Sequence, residues 1–99
     1  MKKALIVWGG WDGHTPKQSV DIFAPMLSAK GFEVTISDKL ASYADKDLMA
    51  AQDLIVQCWT MATIEKEQEE GLLAAVRAGT GLAGWHGGII DSFRANTEY

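Results

Sequence analysis

The stretch 4-ALIVWGGWDGHTPKQSV-20 decides the fold class. Ala4–Trp8 is continuously apolar, which reads as a central strand covered on both faces, because a strand half open to water would alternate. A glycine-rich loop, Gly9 to His14, follows. Thr15-Pro16-Lys17-Gln18 then reads as a helix start. Threonine takes the N-cap, proline falls in the first turn where its missing N–H is harmless, and Gln18 holds the capping-box position. Val20, Phe23, Ala24 and Leu27 continue as an inward stripe at helical spacing. Pro25 removes one hydrogen bond of the ladder and predicts a kink, and Gly31 predicts the stop.

Outward from this unit, three more apolar runs read as strands: Phe32–Ser37 (FEVTIS), Leu54–Trp59 (LIVQCW) and Leu82–Trp85 (LAGW). The first of these alternates, so one face is wetter and the strand belongs toward an edge. Asp47–Ala51 reads as a short helical turn. A longer helix starts near Thr63 or Ile64, with Glu65, Glu67, Glu69 and Glu70 near its positive end, Arg77 near its negative end and Gly79 as its stop. The tail from Asp91 to Tyr99 reads as the start of another helix.

Strand and helix alternation predicts an α/β, flavodoxin-like three-layer sandwich: a parallel sheet with helices on both faces. Right-handed crossovers give strand order 2-1-3-4. The 99 residues read as one domain, the N-terminal part of a longer one. Strand four then lacks an outer neighbour, a gap filled either by further chain or by another copy in a homo-oligomer.

Bulk properties narrow the function. The chain is 47% apolar and 22% charged with net charge −4, and its longest basic cluster is Lys2-Lys3. Nucleic acid is disfavoured as a partner, since phosphate neutralisation needs concentrated Lys and Arg. Cys58 stands alone, so no internal disulfide can form, which fits a reducing compartment; within a strand-like run it reads as a small buried hydrophobe. The apolar part of MKKALIVW is too short for a signal peptide and no stretch approaches membrane-spanning length, so a cytoplasmic protein with no membrane partner is expected.

The unusual residues fall where such a sheet binds ligands, beyond the carboxyl ends of its strands. Trp8 and Trp11 follow strand one, Trp59 ends strand three and Trp85 ends strand four. His14 lies in the first loop and His86 follows strand four, with Asp12 and Asp91 beside them. Tryptophan offers a flat apolar face and one N–H donor, which suits the C–H face of a sugar while Asp and His serve its hydroxyls. The plain alternative for Trp8 and Trp59 is capping of the core.

The segment 84-GWHGG-88 has the frame of a nucleophile elbow with His86 at the raised position. Imidazole there suits general acid or base work. It also suits a zinc-like divalent metal held with His14 and a carboxylate, although no close His spacing supports one. A third reading is a histidine that hydrogen-bonds its own turn. Gly84, Gly87 and Gly88 serve turn geometry, and functionally Gly87 and Gly88 would let backbone N–H groups approach a ligand. Asp38 stands where dinucleotide folds carry a ribose-binding acid, but the loop G-G-W-D-G-H lacks G-x-G-x-x-G and puts Trp11 where a pyrophosphate needs room. No organic cofactor is expected.

The segments 5-LIVWGGWDGHTP-16, 57-QCWTM-61 and 81-GLAGWHGGIIDSFRANTEY-99 together resemble the ThuA-like family, the trehalose utilisation proteins. The resemblance implies a class I glutamine amidotransferase-like fold. His86 replaces the cysteine that superfamily usually places in the elbow, so glutamine hydrolysis is not implied. The resemblance further implies use of trehalose and related disaccharides, often alongside a sugar dehydrogenase that makes keto-sugars. His14 and His86 match the family's histidine positions, and Asp91 falls in the loop after the second. Family members continue past the position of Tyr99, with further strands and another histidine-bearing segment. The expected activity is that of a sugar-processing enzyme, a hydrolase or isomerase, with His86 and His14 as proton carriers and Asp12 or Asp91 orienting an imidazole or hydroxyl. The alternatives are a sugar-binding accessory subunit and a metal-dependent hydrolase or isomerase.

Overall fold

The computed structural model of the chain describes residues 2–11, 13, 15–85, 88, 89, 92, 93 and 99. Four strands form, β1 (Lys3–Gly10), β2 (Glu33–Ser37), β3 (Leu54–Thr60) and β4 (Gly81–Gly84). Between them lie α1 (Pro16–Ala29), a 3₁₀ turn (Leu40–Ala44), α2 (Lys46–Ala50) and α3 (Lys66–Arg77). All strand pairs are parallel, in the order β2-β1-β3-β4, as the sequence predicts. The register sets Ile6 between Ile36 and Val56.

Side-chain alternation along β1 and β3 divides the interior into two cores. Ala4, Ile6 and Val56 meet Val20 and Leu27 of α1 on one face. Leu5, Val7 and Ile55 meet Leu40, Tyr43, Met49, Ile64, Leu72 and Phe93 on the other. A strand clothed on both sides by helices has no polar face to offer, which is why Ala4–Val7 is buried without interruption. Edge strand β2 is only partly covered, and Ile36 is exposed.

The local differences from the sequence reading have identifiable causes. β2 begins at Glu33 and β4 ends at Gly84, so Phe32 and Trp85 flank their strands instead of ending them. Thr15 does not cap α1. Its backbone is left-handed, φ 50° and ψ 53°, whereas an N-cap side chain reaches the first turn from the extended region. Its carbonyl instead accepts from both the N–H and the hydroxyl of Ser19, each at 3.0 Å. The predicted capping box forms elsewhere: Gln68 Oε1 accepts the Glu65 N–H at 3.0 Å, and α3 begins at Lys66, later than Thr63 or Ile64. α1 continues through Pro25 to Ala29, and Gly31 at φ 94° turns the chain away. The short helix runs over Lys46–Ala50, capped by Asp45, whose Oδ1 accepts the Leu48 N–H at 3.1 Å. The tail expected to be helical lies mostly outside the described residues.

α3 rests directly on the 3₁₀ turn. A Cβ at Gly71 would lie 1.7 Å from the Tyr43 carbonyl oxygen, so only glycine permits this approach. Among the described residues no helix is long and apolar enough to cross a membrane.

Candidate functional site

The carboxyl ends of β1, β3 and β4 form one rim, and all four tryptophans sit on it. Trp8 and Trp59 lie within β1 and β3 near their ends, while Trp11 and Trp85 come just after β1 and β4. In the sheet β3 separates β1 from β4, so the two loops leave it two strand spacings, about 10 Å, apart across the sheet, and β4 stops level with Gln57 and Val7, three residues short of Gly10. Those loops carry Asp12, His14, His86 and Asp91 in the sequence. These four residues and Gly87 lie outside the described residues, as does any metal site they would form.

The tryptophans divide between the two faces. Trp8 and Trp85 border the α1 core, and the Trp85 ring lies 4.9 Å from Phe23, tilted by 30°. Trp59 borders the opposite core. Its ring crosses the Cα of Gly9, where a Cβ would come within 2.7 Å of it, and its indole N–H is buried with no acceptor among the described residues. Trp11 is 54% exposed and folds over Gly13, while its backbone N–H donates to the Thr60 carbonyl at 3.2 Å. The end of β3 thus holds the first loop in place. Trp8, Trp59 and Trp85 are half-buried, so the core-capping role and an exposed edge coexist in each of them.

The second loop is held just as firmly at its described ends. The N–H groups of Gly88 and Ile89 both donate to the Trp85 carbonyl at 2.9 Å, which ties the two described ends of the loop together. Gly88 packs on β3: a Cβ there would lie 2.8 Å from the Cα of Cys58. Cys58 is buried, as expected, and desolvation pushes its thiol pKa up, with a Ser19 hydrogen bond opposing in part.

Beneath this turn lies a buried polar network that the sequence reading did not anticipate. Gln57, fully buried in β3, accepts from Tyr43 OH at 2.7 Å. Its amide NH₂ donates to Ser92 Oγ at 2.9 Å and to Tyr99 OH at 2.6 Å. Ser92 Oγ donates onward to the Gly88 carbonyl at 3.0 Å, and Tyr99 OH to the Ile89 carbonyl. The signal was present in LIVQCW, since a glutamine inside a doubly covered strand must find partners.

Burial raises the Tyr43 pKa well above its usual value near 10, and the nearby Tyr99 adds to the effect. Burial also raises Tyr99, against the hydrogen bonds from Ser92 and Gln57. Both phenols therefore hold their protons more tightly folded than unfolded. The stability this confers is complete below pH about 10 and declines as pH rises from there toward the folded values. Spectrophotometric titration of the two tyrosines should show phenolate appearing later than in free tyrosine, together with loss of structure. Ordinary titration of both in the folded protein would contradict the network.

A hollow of about 950 Å³ lies at the other end of the sheet, between α2 and α3, lined by Met49, Gln52, Asp53, Gly71, Ala75 and Thr80 among others. None of the described candidate residues, Trp8, Trp11, Trp59, Trp85 and Gly88, lines it. Its small-residue lining reflects the close approach of α3. Among the described residues no group of three His, Cys, Asp or Glu side chains is placed to hold a metal ion.

No curated protein and no solved structure matches the chain. A family model described as "ThuA: Trehalose utilisation" matches residues 3–99. That span contains all four strands, the tryptophan rim and the network beneath it, and the chain therefore belongs to the ThuA trehalose utilisation family.

Proposed function

We propose that this chain processes a sugar at the carboxyl rim of its sheet, as an enzyme acting on a disaccharide or keto-sugar by histidine acid–base chemistry. The observation that carries the reading is the gathering of Trp8, Trp11, Trp59 and Trp85 on the rim from which both histidine-bearing loops depart. Aromatic faces there suit the C–H surface of a pyranose, and the indole N–H of Trp59, buried without an acceptor among the described residues, suits an oxygen acceptor. His86, in the turn between Trp85 and Gly88, is the proton carrier in this reading. His14 is its counterpart, Asp12 and Asp91 are the orienting groups, and Gly87 and Gly88 approach the substrate. Membership of a trehalose utilisation family supports the substrate class. The lone, buried Cys58 fits a cytoplasmic setting.

The test is turnover of trehalose and 3-keto-trehalose by the wild-type protein and by His86→Ala. Removal of a general acid or base is expected to lower kcat by about 10²–10⁴-fold. Equal rates would remove His86 from the mechanism. Tryptophan quenching by the sugar without any product would instead assign a binding role beside a sugar dehydrogenase. Activity abolished by a chelator and restored by zinc would assign the histidines to a metal.

A further inference from the structure

We propose that Gln57 is a positioning residue: it fixes the two described ends, Gly84–Trp85 and Gly88–Ile89, of the loop that carries His86 in the sequence against the end of β3. The proposal rests on the reading of His86 as the proton carrier of the site. The first limb is held by backbone. Gln57 is the register partner of Gly84, the last residue of β4, and a Cβ on Gly84 would stand 2.8 Å from the Gln57 carbonyl oxygen. The second limb is held by side chain. Through Ser92 and Tyr99, the Gln57 amide secures the carbonyls of Gly88 and Ile89. The N–H groups of those same two residues close the turn on Trp85.

The network has only one consistent direction. The Gly88 and Ile89 carbonyls can only accept, so Ser92 and Tyr99 donate to them and must themselves accept from the amide NH₂, which leaves Gln57 Oε1 for Tyr43 OH. Each hydroxyl then has its own proton free for one carbonyl of the turn. With the amide reversed, the hydroxyls would turn toward its oxygen and release Gly88 and Ile89. Stability alone does not call for such an arrangement. Buried partners replaced together by apolar groups of similar shape are often neutral, because no group is left without its hydrogen bond. An interior glutamine wired to two loop carbonyls sets a geometry that leucine or methionine packing would not.

The experiment separates geometry from stability. The variant Tyr43→Phe/Gln57→Met/Ser92→Ala/Tyr99→Phe removes the side-chain donors and acceptors of the network together and keeps most of the volume. Amide hydrogen exchange at Gly88 and Ile89 is compared with exchange at Ile6 and Val56 in the same sample, alongside the urea midpoint and the kcat and KM for 3-keto-trehalose. The expected result is exchange at least about tenfold faster at Gly88 and Ile89 only, with the midpoint little changed. A fall in kcat of about a hundredfold with KM nearly constant accompanies it, the scale of a misplaced catalytic group. Unchanged exchange at Gly88 and Ile89 overturns the proposal whether or not the protein turns over sugar. Faster exchange with an unaltered kcat also overturns it. If the wild-type protein is inactive, the assignment of His86 fails separately, and the local exchange still decides whether Gln57 holds the turn. Should that variant not fold, Gln57→Met alone is read from exchange at Gly88 and Ile89 relative to Ile6 and Val56, because the hydroxyls it leaves unpaired lower the midpoint by themselves.

Discussion

Gly71→Ala is expected to destabilise the protein by about 2 kcal/mol or more, although alanine is the better helix former. In an exposed helix interior the same change would stabilise by about 1 kcal/mol. Here the added methyl would fall 1.7 Å from the carbonyl oxygen of Tyr43 and 2.8 Å from its carbonyl carbon. Both are backbone atoms of the 3₁₀ turn, which cannot swing aside as a side-chain tip can. Either α3 retreats and opens the core around Leu72, or the turn shifts and carries Tyr43 away from Gln57. Domains of this size are stable by only about 5–15 kcal/mol, so the loss is large. Urea unfolding followed by circular dichroism checks it, with Glu70→Ala, one position earlier and exposed, as the reference change. A Gly71→Ala midpoint equal to or above the wild-type value would show that the approach of α3 to the turn is wrongly drawn.

Phe93→Ala is expected to cost still more, about 3–5 kcal/mol, the range for emptying a fully buried aromatic site. Phe93 is 2% exposed, packs in the core beneath α3 and meets Tyr99 edge-on, with ring centroids 4.9 Å apart at 78°. The preceding carbonyl, that of Ser92, accepts the Ala62 N–H at 2.8 Å. The chain that follows the Gly-x-His-x-Gly turn is therefore anchored in the interior. At about 4–8 °C per kcal/mol for a small domain, the melting temperature should fall by at least about 12 °C. A fall of only a few degrees would mean that this stretch is not part of the core.

The order of strands was legible in the sequence because burial on both faces leaves a plain mark. Ala4–Trp8 has no polar residue, while FEVTIS alternates, and the difference alone separates a central strand from an edge strand. Helix ends were less legible. Thr15-Pro16 and Glu65-x-x-Gln68 both have the form of a capped start, and only the second behaves as one. The residue before proline is pushed out of the right-handed helical region, and at Thr15 the loop settles into the left-handed one. The 3₁₀ turn over Leu40–Ala44 was missed because LASYA has neither helical nor strand periodicity; its residues are chosen for contact with α3. The rim was legible as a place, since tryptophans at strand ends are conspicuous. Its division between two faces was not, since that depends on parity along each strand. Gln57 went unnoticed among apolar neighbours, and Ser92 and Tyr99 had no local pattern to announce them. Partners 35 and 42 positions away cannot be found from spacing.

The placing of β1 between β2 and β3 has a consequence for biosynthesis. Of these four strands the first to leave the ribosome is the one that needs two later ones: its residue Gly10 aligns with Thr60, fifty positions on. At roughly 5–20 residues per second, an apolar segment emerges about 3–10 s before its second neighbour exists. During that interval ALIVW is a bare hydrophobic ribbon, open along one edge even after β2 arrives. Nascent chains arrested before β3 should therefore engage chaperones and resist solubilisation, and chains released just beyond Thr60 should do so far less.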